Sequence, residues 1–170
     1  MARVLDVVFK TAGLLAGCFL VAIGVLVLAQ IGGRLIGLQL VGADEFARYS
    51  LAATSFLGLA YSFRMGAHIR VTLLVDRFAA LPKRIALVLA LLIALAVIGQ
   101  LAYHTLAMVH ETWTFGDMSP GQIAYPLWIP QLSMAVGMVL FALVLAEDLV
   151  RVLLGRVPNF ERNTRQLQVD

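Results

Sequence analysis

The chain contains four apolar stretches that lack Asp, Glu, Lys and Arg, and short polar segments separate them. They comprise residues 11–33, 49–63, 85–110 and 118–146. Because about 20 mostly apolar residues are needed for a helix to cross ~30 Å of hydrocarbon, this pattern predicts an all-α fold with four transmembrane helices. With flanking residues added, the predicted helices cover about residues 9–33, 46–64, 85–110 and 127–150. A polar tail over residues 156–170 completes a single membrane domain over residues 1–170.

Two of these spans have a competing interpretation. The second has only 15 charge-free residues, about 22 Å of helix, so a re-entrant or interfacial helix is the alternative. Arg48 and Arg64 favour a full span, because long cationic side chains can reach the membrane surface. The first stretch resembles a signal peptide, with Val27-Leu28-Ala29 as a cleavage site. It is longer than the ~7–15 residues of a signal core, which favours a retained helix.

Two connections are too apolar to be ordinary loops. Residues 34–43 are predicted to extend the first helix or to lie as a short helix in the interface. Asp44 is then the expected N-cap of the second helix. Residues 64–84 contain arginines spaced by seven, at 70, 77 and 84, and this pattern predicts an amphipathic interfacial segment that Pro82 interrupts. Ordinary loop charges explain these arginines equally well.

The positions of the cations predict the orientation. Eleven of the 13 Lys and Arg residues lie on the side of the membrane that holds both termini and residues 64–84, whereas Arg34 and Arg48 lie on the other. Because cytoplasmic segments carry the excess of Lys and Arg, both termini are predicted to be cytoplasmic. An aromatic belt marks the opposite interface, formed by Trp113, Phe115, Tyr125 and Trp128.

The composition supports the membrane assignment. Hydrophobic residues make up 61% and charged residues 14% of the chain, against about 45–50% and 25% in ordinary soluble domains. A soluble enzyme, a disordered protein and a nucleic-acid binder do not fit these values. The net charge of +3 follows from the cytoplasmic cations, which face an anionic leaflet.

The sequence contains few residues or motifs that could support catalysis or metal binding. No Asp, Glu, Lys or Arg lies well inside a predicted span, although such residues mark ion and proton pathways in membrane proteins. His104 and His110 are six residues apart and do not share a helix face with each other, so a metal site with Glu111 is not expected. Hydrolase, phosphate-loop and zinc-protease motifs are absent from the sequence. The chain is therefore expected to be no enzyme and to hold no cofactor, and Cys18 is interpreted as a small apolar residue.

Small residues follow one face of the second predicted helix. They recur every four positions, at Ser50, Thr54, Gly58, Ser62 and Gly66. Such a ridge lets a neighbouring backbone approach closely, so it predicts a helix–helix contact. The spacing does not distinguish a neighbour in this chain from one in another, and small residues are also common in membrane helices.

The middle of the chain carries a more specific pattern. Glu45 opens the second helix, which contains the sequence Phe56-Leu57-Gly58-Leu59-Ala60 and is followed by His68-Ile69-Arg70-Val71. Further matching elements are Arg64, Gly66, Leu73-Leu74-Val75, Pro82, Ser119-Pro120 and the segment Tyr125-Pro126-Leu127-Trp128-Ile129-Pro130. In these motifs the chain resembles the small membrane subunit of the tripartite ATP-independent periplasmic (TRAP) transporters, the DctQ-type small permease family. The resemblance covers nearly the whole chain, with one departure: Thr72 stands where the family usually has an acidic residue.

The resemblance implies a role in transport across the bacterial inner membrane. A separate large membrane subunit would carry the substrate and sodium, and a periplasmic solute-binding protein would deliver an organic acid. This chain would hold the large subunit in the membrane. Four residues are expected to make structural contacts with a partner or with lipid headgroups: Glu45 on the periplasmic side, and Arg64, His68 and Arg70 on the cytoplasmic side.

Two alternatives from other classes remain open at the level of sequence. A haem or quinone anchor of a redox complex needs axial ligands in the bilayer, and only His104 is placed for that role. A small oligomeric exporter needs a membrane-embedded acid for proton coupling, which the spans lack.

Overall fold

The computed structural model of the chain describes residues 2–66 and 80–159. They form four α-helices: α1 Ala2–Leu35, α2 Ala43–Arg64, α3 Ala80–Phe115 and α4 Trp128–Leu153. The all-α prediction is confirmed for these residues, whose only extended pairing is an isolated bridge between Met118 and Pro126. The helices extend beyond most of the predicted boundaries, because polar residues at the ends of the apolar runs continue the helical backbone.

Three helices are long and apolar enough to cross a membrane. The qualifying segments are Leu5–Leu35, Pro82–Phe115 and Trp128–Leu153. α2 has 22 residues and is not among them, because its hydroxyl and charged side chains lower its mean hydropathy. By length and composition, these three helices of the described ranges could each span a membrane.

The connection between α1 and α2 differs from its prediction. α1 ends at Leu35, and residues 36–42 form turns and irregular backbone instead of an interfacial helix. The N-cap of α2 is Gly42, with φ of 78°, so the prediction of Asp44 as the cap is wrong. The Asp44 carboxylate instead accepts a hydrogen bond of 2.8 Å from the side chain of Gln30 in α1.

The predicted amphipathic segment lies largely outside the described residues, which resume at Ala80. Pro82 is in the first turn of α3 and does not interrupt a helix between Ala80 and Arg84. A proline is tolerated there because the N–H groups of a first helical turn have no intrahelical partner.

The helices pack in a row rather than in a closed square. α2 packs against α1 on one side and α4 on the other, and α3 packs against α4. Phe9, Ala60 and Val144 form one core where α1, α2 and α4 meet. A second core joins α3 to α4 and is built from Leu87, Leu91, Leu145, Leu149 and Val152.

Gly137 sets the distance between α2 and α4. A Cβ atom at this position would lie 2.6 Å from both the carbonyl carbon and the oxygen of Phe56. Because these are backbone atoms, the two helices can approach this closely only if residue 137 has no side chain.

Candidate functional site

One polar cluster joins three helices at the end of the molecule where α2 finishes. Arg64, the last residue of α2, is 3% exposed. Its guanidinium donates to Glu147 in α4 at 2.8 Å and to Asp6 in α1 at 2.5 Å. The same guanidinium lies 4.6 Å from the centre of the Phe9 ring, a cation–π contact. We call Asp6, Phe9, Arg64, Glu147 and Arg151 the Arg64 cluster.

Charge is balanced within the Arg64 cluster. Glu147 also accepts hydrogen bonds from Arg151, one turn later in α4, at 3.0 and 3.2 Å. Two carboxylates thus face two guanidinium groups. Charge-assisted hydrogen bonds of this kind fix the relative positions of the elements they join, so the arrangement is suited to holding helices in register.

The chain after α4 returns to the same end of the molecule. Asp148 is fully buried, and its Oδ1 accepts a hydrogen bond of 2.8 Å from the backbone N–H of Asn159. Within the described residues, Asp148 Oδ2 and both polar side-chain atoms of Asn159 have no hydrogen-bond partner. The contact holds the start of the polar tail against α4.

A second cluster lies at the opposite end of α2. Glu45 Oε1 accepts a hydrogen bond of 2.6 Å from the backbone N–H of Gln122, in the connection between α3 and α4. The side-chain oxygen of Gln122 in turn accepts from the N–H of Gly42 at 3.4 Å. The Glu45 carboxylate occupies the space beside Gly121, so a Cβ at position 121 would require that carboxylate to move. We call Gly42, Glu45, Gly121 and Gln122 the Glu45 cluster.

Aromatic contacts support the Glu45 cluster. The Tyr125 ring stacks on Phe46 and meets Tyr49 edge-on, with centroids 5.4 Å apart in both pairs. Tyr49 also shares a hydrogen bond of 3.4 Å with Ser119. The connection between α3 and α4 therefore folds over the first turns of α2 and forms one ordered surface with them.

Replacing Glu45 by alanine is expected to loosen this surface. The Gln122 N–H would lose its acceptor, at a cost of about 1 kcal/mol. Hydrogen exchange of the Gln122 amide, followed by mass spectrometry of the peptide over residues 117–127, should accelerate. Glu45→Gln is the control, because it keeps an acceptor oxygen and should exchange more slowly than Glu45→Ala. Equal exchange in the wild type and Glu45→Ala would show that the hydrogen bond does not hold the connection.

Two of the small residues of α2, Thr54 and Gly58, lie against α1. Ser50 is buried, the Thr54 hydroxyl donates to the carbonyl oxygen of Ala16 at 3.2 Å, and a Cβ on Gly58 would lie 3.7 Å from that of Ala16. Ser62 lines a groove of about 430 Å³ between the two helices. Gly66 lies beyond α2, where its φ of 75° suits the reversal of the chain after a helix.

The structure assigns contacts within this chain to two of the four proposed contact residues. The Arg64 guanidinium is enclosed by the Asp6 and Glu147 carboxylates of the same chain. Glu45 binds the connection between α3 and α4. His68 and Arg70 lie outside the described residues, as does Thr72.

The sequence pattern alone does not indicate a role for Asp6, Glu147, Asp148 or Asn159. Asp6 and Glu147 each flank an apolar run on the side of the membrane where the cation count places Arg64. Their predicted position at the same membrane interface as Arg64 is the sequence feature that is consistent with these ion pairs. Asn159 gives no such signal, because it lies in a polar segment with no periodicity.

The described residues contain no group of three or more His, Cys, Asp or Glu side chains arranged to hold a metal ion. His104 faces outward from α3 and packs edge-on against the Tyr103 ring, with centroids 5.4 Å apart. The contacts seen at the two clusters are hydrogen bonds, ion pairs and aromatic contacts between structural elements.

Comparison with known families gives one match. The family model described as "Tripartite ATP-independent periplasmic transporters, DctQ component" matches residues 23–155. The matched range begins within α1 and ends just beyond α4, so it includes Glu45, Arg64 and Glu147 but not Asp6. No curated protein matches the sequence.

Proposed function

The chain belongs to the DctQ component family of the tripartite ATP-independent periplasmic transporters, and from this premise we propose that it is the scaffold for a large membrane subunit. The observation that carries the proposal is the Arg64 cluster. It uses the charged groups at one end of the helices to fix α1, α2 and α4 to one another. Charge-assisted hydrogen bonds that fix three helices to one another suit a rigid support.

The proposed topology has four spans and cytoplasmic termini in a bacterial inner membrane. The 22 residues of α2 measure about 33 Å along the helix axis, enough to cross the hydrocarbon core. Neutralisation of Arg64 by Asp6 and Glu147 lowers the cost of placing its charge near the membrane. The distribution of Lys and Arg supports the orientation.

In this proposal the large subunit carries out sodium-coupled uptake of an organic acid, and a periplasmic binding protein delivers that acid. The Glu45 cluster then lies on the periplasmic side. Its ordered surface, formed by the start of α2 and the connection between α3 and α4, is available for the binding protein to contact.

Co-purification tests the proposal. A C-terminally tagged chain, extracted from native membranes in a mild detergent, is expected to recover a larger multi-span membrane protein at near-equal stoichiometry, identified by mass spectrometry. A tagged membrane protein of unrelated function is the control. Reconstitution of the recovered complex should give organic-acid uptake that requires both a sodium gradient and the binding protein. Recovery of the chain alone as a homo-oligomer would contradict the scaffold proposal and favour a small exporter.

A further inference from the structure

The outward side of α3 is unlike the other surfaces that the described spans expose. α3 packs mainly against α4, so most of its circumference is uncovered. Gln100, Tyr103 and His104 are all exposed on this side, and Tyr103 is 68% exposed. Residues three and four apart share a helix face, so the three polar side chains form one patch. We call Ala96, Gly99, Gln100, Tyr103 and His104 the Gln100 face.

The Gln100 face lies near the middle of the membrane. Gln100 is 15 residues after Ile85 and ten residues before His110, the limits of the charge-free run of α3. At 1.5 Å per residue, it is about 15 Å from His110 along the helix, half the thickness of the hydrocarbon core. A carboxamide at this depth has no water to bind, and an acyl chain offers it neither a donor nor an acceptor.

The hydrogen-bonding side chains of α1 behave differently. Thr11 donates to the carbonyl oxygen of Val8 in the same helix, and Gln30 donates to Asp44. The remaining exposed side of α1 is mostly aliphatic and suits lipid, through Leu14, Leu20, Val21, Val25 and Leu28. Gln100, Tyr103 and His104 make no hydrogen bond within residues 2–66 and 80–159, apart from those that bind their backbone into α3.

The shape of the Gln100 face also favours a protein neighbour. A shallow groove of about 550 Å³ runs along it, lined by Leu95, Ala96, Gly99, Gln100 and Tyr103. The position that a Cβ would occupy on Gly99 is open. A polar group beside a small residue in a membrane helix is the combination that lets another helix approach and form an interhelical hydrogen bond.

We propose that the Gln100 face binds a membrane-spanning helix of the large subunit, and that this helix supplies a hydrogen-bonding group to Gln100. The inference rests on the proposed scaffold function and names the surface through which that function is exercised. The occupant is a protein helix because lipid cannot satisfy the carboxamide. It belongs to the large subunit because that is the membrane-spanning partner in the scaffold proposal.

Photo-crosslinking in membranes that hold the whole complex tests the surface. Benzoylphenylalanine is introduced in place of Tyr103 and, as a control, in place of Val21 in α1, which is 66% exposed against 68% for Tyr103. Position 103 is expected to give at least about fivefold more adduct with the large subunit than position 21. Adducts of position 103 only with lipid or with a second copy of this chain would overturn the proposal.

A substitution tests the hydrogen bond. Gln100→Leu is expected to reduce recovery of the large subunit by about threefold to tenfold, the range for an interhelical hydrogen bond in a bilayer. The thermal unfolding midpoint of the isolated chain should not fall, since the position is exposed. Val21→Ala is the control and should leave recovery unchanged. Unchanged recovery with Gln100→Leu would overturn the proposal. If the wild-type chain recovers no large subunit, the scaffold proposal itself is wrong. If it recovers the large subunit but position 103 gives no adduct with it, only the assignment of the Gln100 face is wrong.

Discussion

Replacing Arg64 by alanine is expected to lower the free energy of unfolding by about 2–3 kcal/mol. The substitution removes the guanidinium that joins Asp6 in α1 to Glu147 in α4, and it leaves the half-buried Glu147 paired with Arg151. It also opens a space beside the Phe9 ring, which is 1% exposed. This value lies below the ~3–5 kcal/mol of a fully buried ion pair, because the Asp6 side chain is 48% exposed and water screens its charge. The measurement is the thermal unfolding of the purified chain in detergent.

Two further variants separate the contributions within the Arg64 cluster. Arg64→Lys keeps the charge, but one ammonium group does not reproduce the fork that contacts both carboxylates, so an intermediate loss is expected. Asp6→Asn removes the more exposed partner and should cost less than about 1 kcal/mol. If Asp6→Asn proved as damaging as Arg64→Ala, the bond to Glu147 would not be the principal contact of Arg64.

Replacing Gly137 by alanine is expected to destabilise the chain by about 2 kcal/mol, although alanine is the better helix former. The added Cβ would meet the backbone of Phe56 at 2.6 Å, and backbone atoms cannot move aside as the end of a side chain can. α2 and α4 would have to separate, and this would weaken the core around Ala60 and Val144. The same thermal unfolding measurement applies.

Gly24→Ala is the matched control for this prediction. A Cβ at Gly24, within α1, meets nothing within 4 Å. The identical chemical change should therefore be neutral, or stabilising by up to about 1 kcal/mol through helix propensity. Similar effects at positions 24 and 137 would contradict the assignment of Gly137 as the point of closest approach between α2 and α4.

Some features of the fold follow from the sequence because they are local. The length of an apolar run and the helical period are properties of consecutive residues, so the four helices were predictable from the chain alone. The start of α2 was not predicted correctly. Asp44 and Gly42 both suit a helix start; in the structure Gly42 is the cap, and the Asp44 carboxylate accepts a hydrogen bond from Gln30, a residue distant in the chain.

The Arg64 cluster and the Glu45 cluster could be recognised only from the tertiary structure. The sequence does not distinguish Arg64 from the other cations at the ends of the spans. Its ion pairs depend on which helices pack beside it. The ridge of small residues shows the same limit: its spacing predicts a close contact, and only the fold places α1 against Thr54 and Gly58.

The length of the apolar runs and the composition identify an all-helical membrane protein with few charged groups in its spans, because these properties do not depend on which helices become neighbours. The packing of the helices shows that α2 lies between α1 and α4, that Arg64 joins all three, and that the polar side of α3 faces outward. The physical reason is that ion pairs, close helix crossings and uncovered faces arise between residues far apart in the chain, where no local pattern records them.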